Sequence, residues 1–165
     1  MKLKALTLYN TLSGKKELFP IPKQKVRLFV CGPTVYDQSH IGHARTYIFF
    51  DVFSRILARF GARVYYLQNI TDVDDKIIRR AKEADENPLK LAKRIARDHI
   101  RDMRALGIAT VTRYAPATAE IPTIIRQVKT LIENGFAYRI DGDGWYFDVS
   151  KFPDYGKLSR RTMAQ

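Results

Sequence analysis

The chain has 165 residues, enough for one ordinary domain with a buried core. Apolar residues make up 45% of it but are dispersed among charges, and no run approaches the roughly 20 needed to cross a bilayer, which excludes a membrane-spanning helix. Lysine and arginine number 29 against 17 acidic residues, a net charge of +12 that draws polyanions and makes nucleic acid the leading class of partner.

The first residues, Met1-Lys2-Leu3-Lys4-Ala5-Leu6-Thr7, lack the apolar stretch and small-residue cleavage site of a secretory leader. A single cysteine, Cys31, cannot form an intrachain disulfide, so a cytoplasmic monomer with no membrane association is the expectation.

Leu3 to Tyr9 reads as a strand, turned at Ser13-Gly14-Lys15-Lys16 into a second extended run at Glu17-Leu18-Phe19. Arg27-Leu28-Phe29-Val30-Cys31, ended by Gly32-Pro33, has the form of a buried strand in a parallel sheet. Ile41, Ala44, Ile48, Val52, Ile56 and Phe60 recur at helical spacing, with Gly61 as a stop, and Arg63 to Ile70 is again rich in strand formers. Strand, helix and strand make a βαβ unit, whose right-handed crossover places both following loops at the ligand-binding edge of the sheet. Helices are predicted from Val73 to Glu86, Pro88 to Leu106 and Ala119 to Asn134. A hairpin follows, with Phe136 to Ile140 and Trp145 to Val149 around Asp141-Gly142-Asp143-Gly144. The fold class is therefore α/β with a parallel sheet, peripheral helices and a β-hairpin; residues 1–115 form the α/β body and 116–165 begin a peripheral helix and hairpin region.

The chemistry gathers between the first buried strand and the long helix. A helix N-terminus there offers free N–H groups and the positive end of its dipole, and His40 and His43, three residues apart, project to one side of it. Gly42 leaves room for a flat purine against the backbone, or it simply eases helix packing. Cys31 by itself reads as a small buried residue. Thr71-Asp72-Val73-Asp74-Asp75 reads as a helix start, Thr71 capping and Asp74 at capping-box spacing, with a three-aspartate metal site as the weaker alternative.

The fifteen residues from Cys31 to Arg45 resemble the first signature of class I aminoacyl-tRNA synthetases. Cys31-Gly32-Pro33-Thr34-Val35-Tyr36-Asp37 before His40-Ile41-Gly42-His43, with Gln68-Asn69-Ile70-Thr71-Asp72-Val73-Asp74-Asp75-Lys76-Ile77 after it, narrows the resemblance to cysteine-tRNA ligases. Similarity continues into Tyr155-Gly156-Lys157-Leu158-Ser159, so it covers essentially the whole chain. The resemblance implies the first half of a Rossmann-like catalytic domain that activates cysteine with ATP and Mg2+ to cysteinyl-adenylate and transfers it to tRNA(Cys). It makes His40 and His43 catalytic through charge stabilisation, places ATP at Gly32, Pro33, Thr34, His40, Gly42 and His43, and places the amino acid at Cys31, Gly32 and Thr71. It also makes Cys31 a zinc ligand, the family's other ligands being a later Cys, His and Glu. The family's second signature, Lys-Met-Ser-Lys-Ser, has no counterpart in these residues, so the chain is expected to be a fragment or truncated relative without full activity alone.

Lys90, Arg94, Arg97, Arg101 and Arg104 form a basic ridge opposite Ala92, Ile95, Ala96, Met103 and Leu106, either a solvated face or a track for the tRNA backbone. His99 falls on the non-basic side, where a packed or half-exposed histidine is expected, and Tyr138, Trp145, Tyr146 and Phe147 read as hairpin packing. Three rival functions stand beside the first: a cysteine ligase to an amino sugar, a noncatalytic relative binding RNA or protein, and a small nucleotidyltransferase with a similar His-x-Gly-His loop.

Overall fold

The structure is a computed structural model that describes residues 5–21 and 25–160. The chain divides into two compact units, one formed by Ile21–Glu120 and one that joins Ala5–Pro20 to the segment from Ile121 onward. Among the described residues no helix is long and apolar enough to cross a membrane.

The first unit is built on three parallel strands in the order β3-β4-β5: β3 (Lys25–Val30), β4 (Arg63–Ile70) and β5 (Arg113–Pro116). Register runs from Lys25 opposite Arg63 to Val30 opposite Gln68, and from Leu67 opposite Arg113 to Ile70 opposite Pro116. Helix α1 (Ile41–Arg59) makes the crossover from β3 to β4, and α2 (Asp75–Glu83) and α3 (Pro88–Ala105) make the crossover from β4 to β5. Both α1 and α3 pack on one face of the sheet, where Val30, Tyr47, Tyr66, Met103 and Ile108 form one core cluster. Val35, Ile70, Ile77, Ala81, Leu91, Ala92 and Ile95 form the other, tying α2 and α3 to the end of β4. These clusters fix where the β3 and β4 loops emerge.

Several expectations are corrected by this packing. Half of the stripe named for α1 is on its outer side: Ile41, Ile48 and Val52 are exposed, Ile56 and Phe60 are half-buried, and Ala44 is buried together with Tyr47, Asp51, Ser54 and Leu57. The helix is apolar nearly all round, so periodicity cannot choose its inner face, and two polar residues lie inward because they are small or bonded. Burial pushes the Asp51 carboxyl upward in pKa, but Arg55 and Thr110 together with the backbone N–H groups of Thr110 and Ala109 outweigh it and hold it below the usual carboxylate range. Asp51 Oδ1 accepts from Ala109 N, Thr110 N and Thr110 Oγ1 at 2.8–2.9 Å, and Arg55 donates to Oδ2 at 2.6 Å. That contribution to stability is complete above the ordinary Asp pKa of about 3.9 and is lost as pH falls through the lower folded value.

The cap of α2 is Asp74, whose Oδ1 accepts from Lys76 N at 2.8 Å, and not Thr71. Asp72 instead accepts from Thr118 N and Oγ1, just beyond β5, so the aspartates are dispersed by separate structural tasks. Leu106 lies past the end of α3 and is exposed, not part of its apolar side. Strand β5 went unpredicted because Arg113-Tyr114-Ala115-Pro116 is short and ends in proline.

The second unit pairs β1 (Ala5–Asn10) antiparallel with β2 (Lys15–Pro20), and β6 (Ala137–Ile140) with β7 (Gly144–Phe147), the latter hairpin following α4 (Ile121–Glu133). The predicted start of the first strand at Leu3 lies outside the described residues. Gly135 ends α4 at φ +74° and Gly142 turns the second hairpin at φ +81°, conformations that glycine adopts without a Cβ penalty. Tyr138 stacks on Tyr146 at 5.8 Å, and Phe147 meets Phe136 and Phe152, although these hairpin aromatics remain partly exposed.

Candidate active site

Parallel pairing continues past the ends of β3 and β4 and zips their loops together. Gly32 N donates to Asn69 Oδ1 at 2.8 Å, Thr71 N to the Pro33 carbonyl at 3.0 Å and Val35 N to the Thr71 carbonyl at 3.1 Å. Thr34 and Thr71 form an isolated parallel bridge, and Asn69 Nδ2 donates to Thr71 Oγ1 at 3.2 Å. A Cβ at Gly32 would stand 1.7 Å from the Asn69 carbonyl oxygen, so glycine is required for this close approach. Gly32, Pro33, Thr34 and Thr71 thus meet at the carboxyl edge of the sheet. Cys31, exposed just past β3, is joined to α1 through its carbonyl, which accepts from Tyr47 Oη at 3.3 Å.

At the head of α1 the two histidines cap the helix reciprocally. His40 is the N-cap, its Nδ1 accepting from Gly42 N at 3.1 Å, and His43 Nδ1 accepts in return from His40 N at 3.2 Å. This is a capping box built from imidazoles in place of Ser and Glu. The rings lie 4.0 Å apart, His40 exposed and His43 half-buried. Because each Nδ1 accepts, the proton of a neutral ring sits on Nε2, and among the described residues neither Nε2 has a partner. Burial first, and the charge of His40 second, lower the His43 pKa from its ordinary value. The space over Gly42 is held by the His40 ring, which a Cβ would meet at 2.8 Å. A purine lying directly on Gly42 therefore requires that ring to turn aside.

Behind this corner lies a buried polar layer whose bonding no local sequence pattern shows. His99 on α3 shares a 2.7 Å hydrogen bond with Ser39 Oγ, and its ring meets Tyr47 edge-on at 5.5 Å and His43 at 6.3 Å. Burial pushes the Tyr47 phenol up to about 12. Among the described residues Gln68 Nε2 and Oε1, Tyr66 Oη and His99 Nε2 are buried without a hydrogen-bond partner. The alternation of Tyr66, Gln68 and Ile70 on β4 was the available signal, since it puts a glutamine among core positions. Ser39 and Asn69 carried none, because their partners are 60 and 37 residues away in sequence.

Lys90, Arg94, Arg97, Arg101 and Arg104 line the outer side of α3, opposite buried Leu91, Ala92, Ile95, His99 and Met103. Part of that charge is compensated: Arg94 pairs with Glu86 at 2.8 Å, and Arg101 with Asp98 and Asp102 at 3.1 Å. Among the described residues no three His, Cys, Asp or Glu side chains gather where they could hold a metal ion.

The chain as a whole has counterparts among known proteins. A family model described as the tRNA synthetases class I (C) catalytic domain matches residues 17–165. The chloroplastic/mitochondrial cysteine–tRNA ligase of Arabidopsis thaliana is 50% identical over 161 residues, covering 97% of this chain and 28% of that protein. The cysteine–tRNA ligase of Pyrococcus horikoshii is 51% identical over 155 residues, covering 93% of this chain and 32% of its own length. The chain thus spans about a third of the curated relatives it matches. Among solved structures, an Agrobacterium radiobacter LeuRS in ternary complex with tRNA and LeuAMS superposes with TM-score 0.66 at 19% identity, over 77% of this chain and 22% of that one. Mycobacterium tuberculosis methionyl-tRNA synthetase in complex with methionyl-adenylate gives 0.62 at 22% identity, over 68% and 23% respectively. At those identities the two structures speak to the fold, which is the Rossmann-like half of a class I synthetase catalytic domain. With a family model spanning nearly its whole length and relatives at half identity, the chain belongs to the class I (C) tRNA synthetase catalytic-domain family, that of the cysteine–tRNA ligases.

Proposed function

We propose that this chain supplies the ATP- and cysteine-binding corner of a cysteine–tRNA ligase, which forms cysteinyl-adenylate and passes the aminoacyl group to tRNA(Cys). The observation that carries the reading is the pair of imidazoles at the head of α1, 4.0 Å apart, each tied to backbone through Nδ1 and free at Nε2. In the first step a cysteine carboxylate oxygen attacks the α-phosphorus of ATP, the bond to the bridging oxygen breaks, and pyrophosphate leaves. No protein nucleophile takes part. His40 and His43 meet the charge developing on phosphate oxygens with fixed donors, and their prior anchoring means little reorganisation when that charge appears. Gly32, Pro33 and Thr34 offer ATP a backbone edge, and Cys31, Gly32 and Thr71 border the amino acid. Magnesium would travel with the nucleotide phosphates, where its presence neutralises their charge.

Zinc has a different standing. Structural and catalytic zinc takes at least three protein ligands as a rule. Among the described residues no such group gathers around Cys31, so they do not by themselves make a zinc site and no step is routed through one. The outer face of α3, with Lys90, Arg94, Arg97, Arg101 and Arg104, is proposed as a track for the tRNA backbone, setting affinity more than sequence choice.

The reading is tested by supplying the protein that carries this chain with cysteine, ATP and either tRNA(Cys) or an amino sugar. Cysteine ester formed on tRNA alone is the expected result. Amide formed on the sugar amine would replace the reading with the sugar-ligase alternative, and no adenylate with either acceptor, with RNA binding retained, would replace it with the noncatalytic one.

A further inference from the structure

His99 is 2% exposed on the inner side of α3, between Ile95 and Met103, where an apolar residue would pack without desolvating two ring nitrogens. Among the described residues only one of those nitrogens is bonded: Nδ1 to Ser39 Oγ at 2.7 Å, while Nε2 is buried without a partner. Ser39 immediately precedes His40, the residue that caps α1 and takes part in the reciprocal histidine pair. The His99 ring also stands edge-on behind His43 at 6.3 Å and Tyr47 at 5.5 Å, both interplanar angles being 78°. One side chain from a distant helix thus fixes the entry to the cap and backs the second imidazole.

We propose that His99 is a positioning residue for the His40–His43 corner, acting through Ser39 and through ring contact with His43. This rests on the reading of that corner as the phosphate site, and the experiment below separates the two. The groups facing His99 are Ser39 from the loop, His43 and Tyr47 from α1, and Asp102 on its own helix. Burial, then the charge of His43, lower its pKa to about 4 against the opposing pull of Asp102, so it holds the corner as a neutral ring at physiological pH. Without the Ser39–His99 bond the loop loosens, the rings separate and His43 becomes better hydrated.

The test uses Ser39→Ala, His99→Phe, the double variant and His99→Asn, whose amide stands near the position of Nδ1. The titration of His43 is followed by NMR without ligand, and Mg-ATP affinity is measured by calorimetry. Ser39→Ala and His99→Phe should each move His43 upward toward the ordinary histidine pKa of about 6.5 and weaken Mg-ATP by roughly fivefold, the order expected of one hydrogen bond. The double variant should be no weaker than the singles, and His99→Asn should recover most of both effects. His43 titrating as in the parent in Ser39→Ala, or His99→Asn behaving like His99→Phe, overturns the proposal. Should His99→Phe fail to fold, Ser39→Ala decides alone, since its half-buried hydroxyl leaves no large cavity. If the parent chain binds no Mg-ATP, the nucleotide reading fails, while the His43 titration still judges the positioning role.

Discussion

Replacing His43 with glutamine is expected to reduce cysteine-dependent ATP–pyrophosphate exchange by roughly 10²–10³-fold, the order seen when one preorganised donor to a developing oxyanion is removed, in the protein that carries this chain with its second signature region. Glutamine is chosen because it is the residue type that completes an ordinary capping box at this helix position. His43 Nδ1 accepts from His40 N at 3.2 Å, and a glutamine side-chain oxygen can take over that bond while the ring and its free Nε2 are lost. His43→Ala removes both, so any further loss relative to His43→Gln measures the cap, on the order of 1 kcal/mol. The pH dependence has a definite sign. Burial and the charge of His40 lower the His43 pKa in the free protein, whereas bound phosphates favour the imidazolium and raise it, the protonated Nδ1 then giving up the bond it accepts from His40 N. Binding of ATP therefore takes up a proton, and affinity should increase as pH is lowered from 8 toward 6, a trend that His43→Gln should flatten. Exchange at the parent rate in His43→Gln would remove the assigned role.

Gly32→Ala is expected to lower stability by about 1–3 kcal/mol, the usual cost of inserting a group into a filled space, and so to lower Tm by about 3–10 °C. The obstacle is backbone: the new Cβ would lie 1.7 Å from the Asn69 carbonyl oxygen and 2.8 Å from its carbon. No side-chain rotamer can relieve that, so the β3 and β4 loops must separate. Separation breaks the Gly32–Asn69 bond and strains the Thr71–Pro33 and Val35–Thr71 bonds beside it. Exchange should fall together with Tm, because Cys31 and Thr71 would no longer share one edge. Asn69→Ala, which removes one partner of the bond without the clash, should cost about 1 kcal/mol. A Gly32→Ala protein with the parent Tm in a calorimetric scan would show that the loops are not held as described.

The elements of this fold were largely legible because their signals are local. Gly61 after an apolar helix, strand formers from Arg63 to Ile70, and the start of a helix at Pro88 gave boundaries within a few residues of those observed. Besides the short strand β5, two features were not legible, for different reasons. The inner face of α1 was misassigned since Ile48, Phe49 and Val52 put an apolar stretch on its exposed side, and the buried Asp51 and Ser54 declare themselves only through tertiary partners. The α2 cap was misassigned because Thr71 and Asp74 are both good caps, and the competition was settled by Thr71 joining the strand bridge to Thr34.

For the site, the spacing of His40 and His43 was enough to place both at a helix head. That each ring would bind the backbone of the other's turn through Nδ1 was not contained in the spacing. The loops after β3 and β4 were expected at one edge from the βαβ handedness, yet their zipping through Gly32, Asn69, Pro33 and Thr71 depends on register that no single segment encodes. For His99 the helical spacing leaves packed and half-exposed both open; the residue is buried, and its bond to Ser39 spans 60 residues that no local pattern connects.

The central claim is that the free Nε2 atoms of His40 and His43 face bound phosphate. It is tested most directly by titrating the chain with Mg-ATP while following all three histidine rings by NMR through their carbon- and nitrogen-bound signals. The account predicts saturable shifts of His40 and His43 at one common dissociation constant, an upward move of the His43 titration on binding, and a smaller response at His99. Saturable binding that leaves the signals of His40 and His43 in place would contradict it.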